Sequence, residues 1–123
     1  MLNKLAIEVH ENAKAHGWWE KEREFGTLLM LMTSELAEAM EEYRNGRNYT
    51  WYNCEHCPRR EHCHTIPSQC LQAKPEGIPV ELADCIIRIL DYCGAKGIDI
   101  DEAIRIKHEY NKTRPYRHGG KQI

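Results

Sequence analysis

The chain has 123 residues and a formal net charge of −2. This length predicts one domain, spanning residues 1–123, with a single modest core. The near-neutral charge argues against nucleic acid as the main partner. No segment reaches the roughly 18 consecutive apolar residues of a membrane span. The first residues also lack the apolar centre of a signal peptide, so we expect a cytoplasmic protein without membrane association.

Two helices are predicted in the first third of the chain. Apolar residues at helical spacing predict a first helix over roughly residues 2–15. A second helix is predicted from near Phe25 to near Gly46, a residue type that often follows a helix C-terminus. Its apolar stripe consists of Leu28, Leu29, Met32, Leu36, Met40 and Tyr43.

Residues 47–79 interrupt this pattern and show neither a helical nor a strand period. Their C-x2-C-x5-C-x6-C sequence contains Cys54, Cys57, Cys63 and Cys70. Four thiolates match the ligand set of a structural zinc site, and the nearby histidines that offer substitute ligands are His56, His62 and His64. An iron–sulfur cluster takes the same number of cysteines, and free or disulfide-forming thiols are a further alternative. We predict a Cys-rich insert held together by metal, most simply Zn²⁺.

Two more helices complete the predicted architecture. The third begins near Pro79 and is stopped by Gly97. Asp99 with Glu102 resembles a capping box that opens the fourth, which must end before Pro115. No strand-like alternation and no internal repeat is present. The predicted fold is therefore all-α, with four helices and the Cys-rich insert between the second and the third.

The predicted second and third helices each carry a pair of carboxylates, three residues apart. The pairs are Glu35 with Glu38 and Glu81 with Asp84. Residues at this spacing share a helix face, so two packed helices would bring four acidic groups together. Such a cluster is tolerable when a divalent cation binds it, and oxygen ligands suit Mg²⁺ or Mn²⁺. The alternative is that both pairs are ordinary solvated helix faces.

The C-terminal stretch is basic where the helices are acidic. Residues 107–121 contain five Lys or Arg residues and one Glu, which gives +4. Lys107, Asn111 and Arg114 follow i, i+4, i+7 spacing and share a predicted face, which suits phosphate oxygens. A solvated basic tail is the alternative. Trp18 and Trp19 offer aromatic surfaces for a nucleobase, or they are core or subunit-contact residues.

The segments SELAE, IPVELADCIIRILD and KHEYNKTRPYRHGGK resemble the MazG-like, all-α nucleoside triphosphate pyrophosphohydrolases. That family has an E-x-x-E pair, an E-x-x-D pair and a downstream Lys/Asn/Arg group. The resemblance implies a four-helix MazG-like bundle and Mg²⁺-dependent hydrolysis of a nucleoside triphosphate to the monophosphate and pyrophosphate. It also implies a homodimer or homotetramer. By matching positions, the metal ligands are Glu35, Glu38, Glu81 and Asp84, and the phosphate-binding residues are Lys107, Asn111 and Arg114.

The same chemistry follows from the residue types. Cleavage between the α and β phosphates needs charge neutralisation on pyrophosphate and an oriented water. A carboxylate can serve as the general base, and we select Glu38. Trp19 is assigned to the substrate. One rival is a zinc-knuckle module that binds nucleic acid or protein on a catalytically inactive helical core. A second rival is a purely structural helical oligomer.

Overall fold

The computed structural model describes residues 1–55 and 57–123, and these residues are mostly helical. The helices are α1 (Leu2–Ala15), α2 (Phe25–Arg44), α3 (Ile78–Lys96), α4 (Ile100–Lys112) and a short α5 (Arg117–Gly120). Two strands, β1 (Trp51–Asn53) and β2 (Lys74–Glu76), form one antiparallel sheet. Within the described residues, no helix is both long and apolar enough to cross a bilayer.

The first four helices agree with the sequence pattern in position and extent. The Asp99 half of the predicted capping box is present, since its carboxylate accepts a hydrogen bond of 3.0 Å from the Glu102 backbone N–H, whereas the Glu102 carboxylate accepts from Arg105. The α5 segment was not predicted. Its Arg117 and His118 have φ of 49° and 54°, so it is a single left-handed turn rather than a regular α-helix.

The chain divides into two compact units, which we describe separately. The terminal unit contains residues 1–21 and 90–123, and the central unit contains residues 22–89. In the terminal unit, Ala6, Leu90 and Cys93 form a buried apolar cluster. A Cβ atom at Gly94 would lie 2.4 Å from the Ala6 carbonyl oxygen, so α1 and the end of α3 pack closely only because this residue is glycine.

Reciprocal caps join α1 and α4 in the terminal unit. The Asp101 carboxylate accepts hydrogen bonds from the backbone N–H groups of Leu2 and Asn3 at 2.9 and 3.0 Å. In return, the Asn3 side-chain oxygen accepts from the backbone N–H groups of Ile100 and Asp101 at 2.9 and 3.2 Å. Each side chain thus satisfies otherwise unpaired donors at the start of the other helix.

The central unit contains α2, both strands and the first part of α3. The strand register pairs Trp51 with Glu76, Tyr52 with Pro75 and Asn53 with Lys74. The sequence pattern predicts no strand here, and that prediction is wrong. Strands of three residues are too short for an alternating pattern to show, and their pairing depends on contacts more than 20 residues apart in sequence.

The strand pair is fixed to the helices at both ends. The Trp51 indole N–H donates to the Glu42 carboxylate of α2 at 2.8 Å, and the Arg47 guanidinium lies 4.2 Å from the indole ring. Between β2 and α3, Gly77 has φ of +111°, and a Cβ atom there would lie 2.0 Å from the Tyr49 carbonyl oxygen. The insert therefore has a stem that is held by hydrogen bonds and close packing.

Candidate metal centre

Helices α2 and α3 bring three of the four predicted carboxylates together. Glu35, Glu38 and Glu81 each offer a carboxylate oxygen, and these oxygens lie within 4.8 Å of one another. Glu35 is 6% exposed and Glu81 is 7% exposed, whereas Glu38 is exposed. Carboxylates are almost never this buried without a partner. The central unit thus places acidic side chains at positions where a helical core usually holds apolar ones.

This arrangement of buried acidic groups changes the pKa of Glu81. Burial, followed by its hydrogen bond with Glu38, raises the pKa of Glu81 to about 7. The charges of Glu38, Asp84 and Glu35 act in the same direction. At neutral pH the Glu81 carboxyl group therefore holds a proton about half of the time, and it can donate that proton in its hydrogen bond with Glu38.

Asp84, the fourth predicted ligand, lies one turn beyond Glu81 on α3. Burial and the charge of Glu35 raise the pKa of Asp84, while the charge of Arg88 opposes that rise. Asp84 is outside the group of three whose oxygens meet within 4.8 Å. It is close enough to feel the charge of the cluster, so the predicted quartet is a tight group of three with Asp84 beside it.

Arg88 is a member of this site that the sequence pattern did not reveal. Its Nε donates to Glu35 Oε1 at 2.5 Å and forms an ion pair with it. The positions 81, 84 and 88 are spaced i, i+3, i+7 and share one face of α3, so the spacing could have identified it. Arg88 neutralises the buried Glu35 carboxylate, whereas Glu38 and Glu81 interact with each other.

Lys74 is the second residue that the sequence pattern missed. It lies on β2, where its Nζ is 2.9 Å from Glu76 Oε1. The hydrogen bond to Glu76 raises the pKa of Lys74 despite partial burial, and the charges of Glu81 and Glu38 also raise it. The insert thus delivers an ammonium group within electrostatic reach of the acidic cluster. Lys74 is seven residues before Glu81, but it lies outside α3, so the helical spacing of the acidic pairs does not predict its approach.

The three converging carboxylates fit a divalent cation. Oxygens bound to one Mg²⁺ at about 2.1 Å are about 3.0 Å apart when adjacent and about 4.2 Å apart when opposite. The three carboxylate oxygens lie within 4.8 Å of one another, so side-chain rotations that bring them about 1–2 Å closer would let them bind one cation. Hard oxygen donors select Mg²⁺ or Mn²⁺ over softer ions. Within residues 1–55 and 57–123, this is the only group of three or more metal-binding side chains at such a separation.

The predicted phosphate-binding residues lie in the terminal unit. Lys107 and Asn111 are on α4, and Arg114 follows its C-terminus. The Lys107 ammonium lies 4.8 Å and the Arg114 guanidinium 5.9 Å from the centre of the Tyr110 ring. The structure therefore places these two cations around one aromatic side chain, in agreement with the predicted shared face.

Trp19 has hydrogen-bond and ring partners inside the terminal unit. Its indole N–H donates to both carboxylate oxygens of Asp91, at 2.9 and 3.1 Å. The same carboxylate lies 2.8 Å from His10 Nδ1, and the His10 and Trp19 rings meet edge to face at 5.1 Å. These contacts favour the alternative in which Trp19 is a packing residue. Its assignment to substrate stays a prediction.

The four cysteines of the insert are free thiols and are partly buried. Cys54 and Cys57 form a turn, in which the Cys57 N–H donates to the Cys54 carbonyl oxygen at 3.0 Å. Hydrogen bonds from the backbone and side chain of Thr65 lower the pKa of the Cys63 thiol, which favours the thiolate. Among the described residues, no three of the sulfurs meet within 4.8 Å.

Among the described residues, the histidines of the insert also form no metal-binding group of three with the cysteines. His62 and His64 are exposed, and His56 lies outside the described residues. Zinc binding by the four cysteines stays a prediction.

The chain matches no protein-family model, no curated protein and no solved structure.

Proposed function

We propose that this protein is a Mg²⁺- or Mn²⁺-dependent nucleoside triphosphate pyrophosphohydrolase. The observation that carries the proposal is the convergence of Glu35, Glu38 and Glu81, two of them buried, from two helices. Burial, together with the hydrogen bond to Glu38 and the neighbouring negative charges, raises the pKa of Glu81 to about 7, so the three acidic groups form a poor structural core. They form a good cation site, and the resemblance of the same segments to MazG-like enzymes supports that use.

The reaction adds one water to the triphosphate and yields the monophosphate and pyrophosphate. Glu35, Glu38 and Glu81, with Asp84 beside them, would hold the cation, which would supply the charge that neutralises the departing pyrophosphate. Glu38, the exposed member, orients the water and accepts its proton while the water oxygen bonds to the α-phosphorus. The bond between that phosphorus and the bridging oxygen breaks. Arg88 keeps the Glu35 carboxylate in place through their ion pair.

We also propose that Lys107, Asn111 and Arg114 bind phosphate oxygens. Their support is the pair of cations around Tyr110 and the resemblance described above. Charge-assisted hydrogen bonds contribute about 1.5–3 kcal/mol each. Lys107→Gln should therefore raise the KM for the triphosphate by roughly tenfold or more, while Lys96→Gln, a change of another exposed lysine, should leave the KM unchanged. Equal KM values for both variants would remove Lys107 from the site.

A homodimer or homotetramer is the proposed assembly. In the central unit, Leu29, Leu36 and Met40 of α2 are more than 40% exposed, as are Leu82 and Ile86 of α3. Each set forms a stripe on its own helix, and contiguous exposed apolar surface marks interaction sites. Leu36→Glu should shift the sedimentation coefficient towards that of a monomer. Glu41→Gln, an exposed charge change on α2, should not do so.

The decisive experiment measures pyrophosphate and phosphate release from a panel of nucleoside triphosphates, with Mg²⁺ and with a chelator. Pyrophosphate should appear with Mg²⁺ alone, and Glu38→Gln and Asp84→Asn should abolish its release. Glu41→Gln serves as the matched control, because Glu41 lies on the same helix and forms a surface ion pair with Arg44. Full activity in both cluster variants, or release of phosphate alone, would overturn the proposal.

A further inference from the structure

The insert contains a pocket of about 660 Å³, and the proposed function assigns no role to it. Its lining includes Asn53, Pro58, Arg59, Gln72, Lys74 and Glu76. Pockets of about 300–1,000 Å³ are typical of sites that bind small organic molecules. The pocket lies wholly within the central unit, so its lining belongs to the same compact body as the acidic cluster.

The strand pair fixes one wall of this pocket. Asn53 on β1 is opposite Lys74 on β2 in the register, and Glu76 is two residues further along β2. The Glu76 carboxylate accepts from Lys74 Nζ at 2.9 Å and from Asn53 Nδ2 at 3.3 Å. These side chains are held in place before any ligand arrives, which is the arrangement that a binding site requires.

The other wall offers groups with unused hydrogen-bonding capacity. No hydrogen bond or ion pair joins the Arg59 guanidinium to another described residue. The Gln72 amide oxygen has one weak contact, at 3.7 Å from Cys57 Sγ. Two cations, Arg59 and Lys74, face one carboxylate, Glu76, so the lining has a net positive charge. An anionic ligand with hydrogen-bonding edges matches this chemistry.

Lys74 connects the pocket with the acidic cluster. It lines the pocket, and its ammonium is within electrostatic reach of both Glu38 and Glu81. Because β2 leads through Gly77 directly into α3, which carries Glu81 in its first turn, a ligand whose phosphates are at the cluster can extend along β2 past Lys74 into the pocket.

We infer that the pocket binds the base and sugar of the nucleoside triphosphate, with Lys74 contacting the phosphate next to the sugar. This inference rests on the proposed function. The Gln72 amide can pair with the edge of a base, and the planar Arg59 guanidinium can stack on its face. The insert thereby determines which base is accepted.

The test compares Arg59→Gln and Gln72→Leu with Arg60→Gln. Arg60 is the exposed neighbour of Arg59, begins a 3₁₀ turn and does not line the pocket, so it is a matched control for the lost charge. Arg59→Gln should raise the KM for the preferred triphosphate by about tenfold or more with kcat nearly unchanged. Gln72→Leu should reduce the discrimination between bases. Arg60→Gln should behave as the wild-type protein.

A second measurement separates this inference from the proposed function. Equilibrium dialysis with the four nucleoside 5′-monophosphates, without divalent cation, reports on the pocket alone. The wild-type protein should bind at least one of them, and Arg59→Gln should weaken that binding by about tenfold. If no pyrophosphate is ever released but this result is obtained, the pocket stands and the proposed function fails. If no monophosphate binds, or if Arg59→Gln and Gln72→Leu bind and turn over like Arg60→Gln, the inference is overturned.

Discussion

In the terminal unit, the Asp91 carboxylate lies between the Trp19 indole N–H and the His10 ring, so its partners are of the opposite polarity. In the central unit, the buried Glu81 is hydrogen-bonded to another carboxyl group, that of Glu38. Asp91 is partly buried and has neighbours that stabilise its charge, whereas Glu81 is buried among other acidic groups. The terminal unit uses polar groups to hold helices together, whereas the central unit carries a concentration of like charge that folding alone does not require.

The largest effect on activity should come from removing one of the three clustered carboxylates. Glu38→Gln should lower kcat by about 10²–10⁴-fold, the range for loss of a general base. The same change should leave the metal-free protein as stable as the wild type or more so, because it removes a repulsion. Pyrophosphate release and chemical denaturation in chelator measure the two effects. A variant that is inactive because it is unfolded would contradict this interpretation of the cluster.

The terminal unit should respond in the opposite way, through stability rather than catalysis. Gly94→Ala places a methyl group against the Ala6 carbonyl oxygen and should lower the free energy of unfolding by about 1–3 kcal/mol. Gly26→Ala on α2 is the matched control, since a Cβ there meets nothing within 4 Å. It should be neutral or stabilising by up to about 1 kcal/mol. Urea denaturation distinguishes the two, and equal effects would contradict the close packing of α1 on α3.

The free energy of unfolding should depend on pH through the titration of Glu81. Its pKa is about 7 in the folded chain against an ordinary value of 4.5. Between these values the folded chain binds a proton that the unfolded chain releases, so the free energy of unfolding falls as pH rises. This contribution is fully present below about pH 4.5 and is lost by about pH 7, with a total on the order of 2 kcal/mol.

Denaturation in chelator from pH 5 to pH 8 measures this slope. Glu81→Gln should flatten it, because the amide carries no charge at any pH. Mg²⁺ should raise stability more at pH 8 than at pH 5, because cation and proton compete for the same carboxylates. An unchanged slope in Glu81→Gln would assign the pH dependence to other groups.

The smallest effect on activity is expected from the four cysteines of the insert, to which we assign no catalytic role. We predict about one Zn²⁺ per subunit in protein purified without added metal, held by Cys54, Cys57, Cys63 and Cys70. Cys57→Ser should remove it and increase protease cleavage between the strands, while far-UV circular dichroism stays that of a helical protein. Elemental analysis decides the matter. Iron would indicate a cluster, and protein without metal but with six titratable thiols would remove the site.

Features that depend on local sequence were predicted well. The bounds of α1 and α2 follow from apolar spacing, and the α4 cap follows from the Asp99 and Glu102 pair. The convergence of Glu35, Glu38 and Glu81 also followed, because each pair is fixed by helical spacing and both helices are correctly placed. Apolar stripes alone did not show burial, since Leu36 and Met40 of the predicted stripe are exposed.

Features that depend on pairing between distant segments were missed. Nothing in the sequence near Lys74 indicates that β2 brings it towards the acidic cluster. Arg88 differs, because it lies four residues after Asp84 and helical spacing alone places both residues on one face of α3. Both residues are cations near carboxylates. A search for acidic ligands alone therefore leaves out the groups that balance their charge.

Gly77 packs against the Tyr49 carbonyl oxygen at the point where the insert joins α3. Sequence changes within the insert can therefore accumulate separately from changes in the helices. Residues 54–73 lie beyond the paired strands, so their length and composition can vary without altering the register of β1 with β2 or the helices that carry the carboxylates. Cleavage chemistry and substrate choice would then reside in separate parts of the gene. Exchange of residues 54–73 alone would then change the proposed base selectivity and leave the proposed metal centre unaltered.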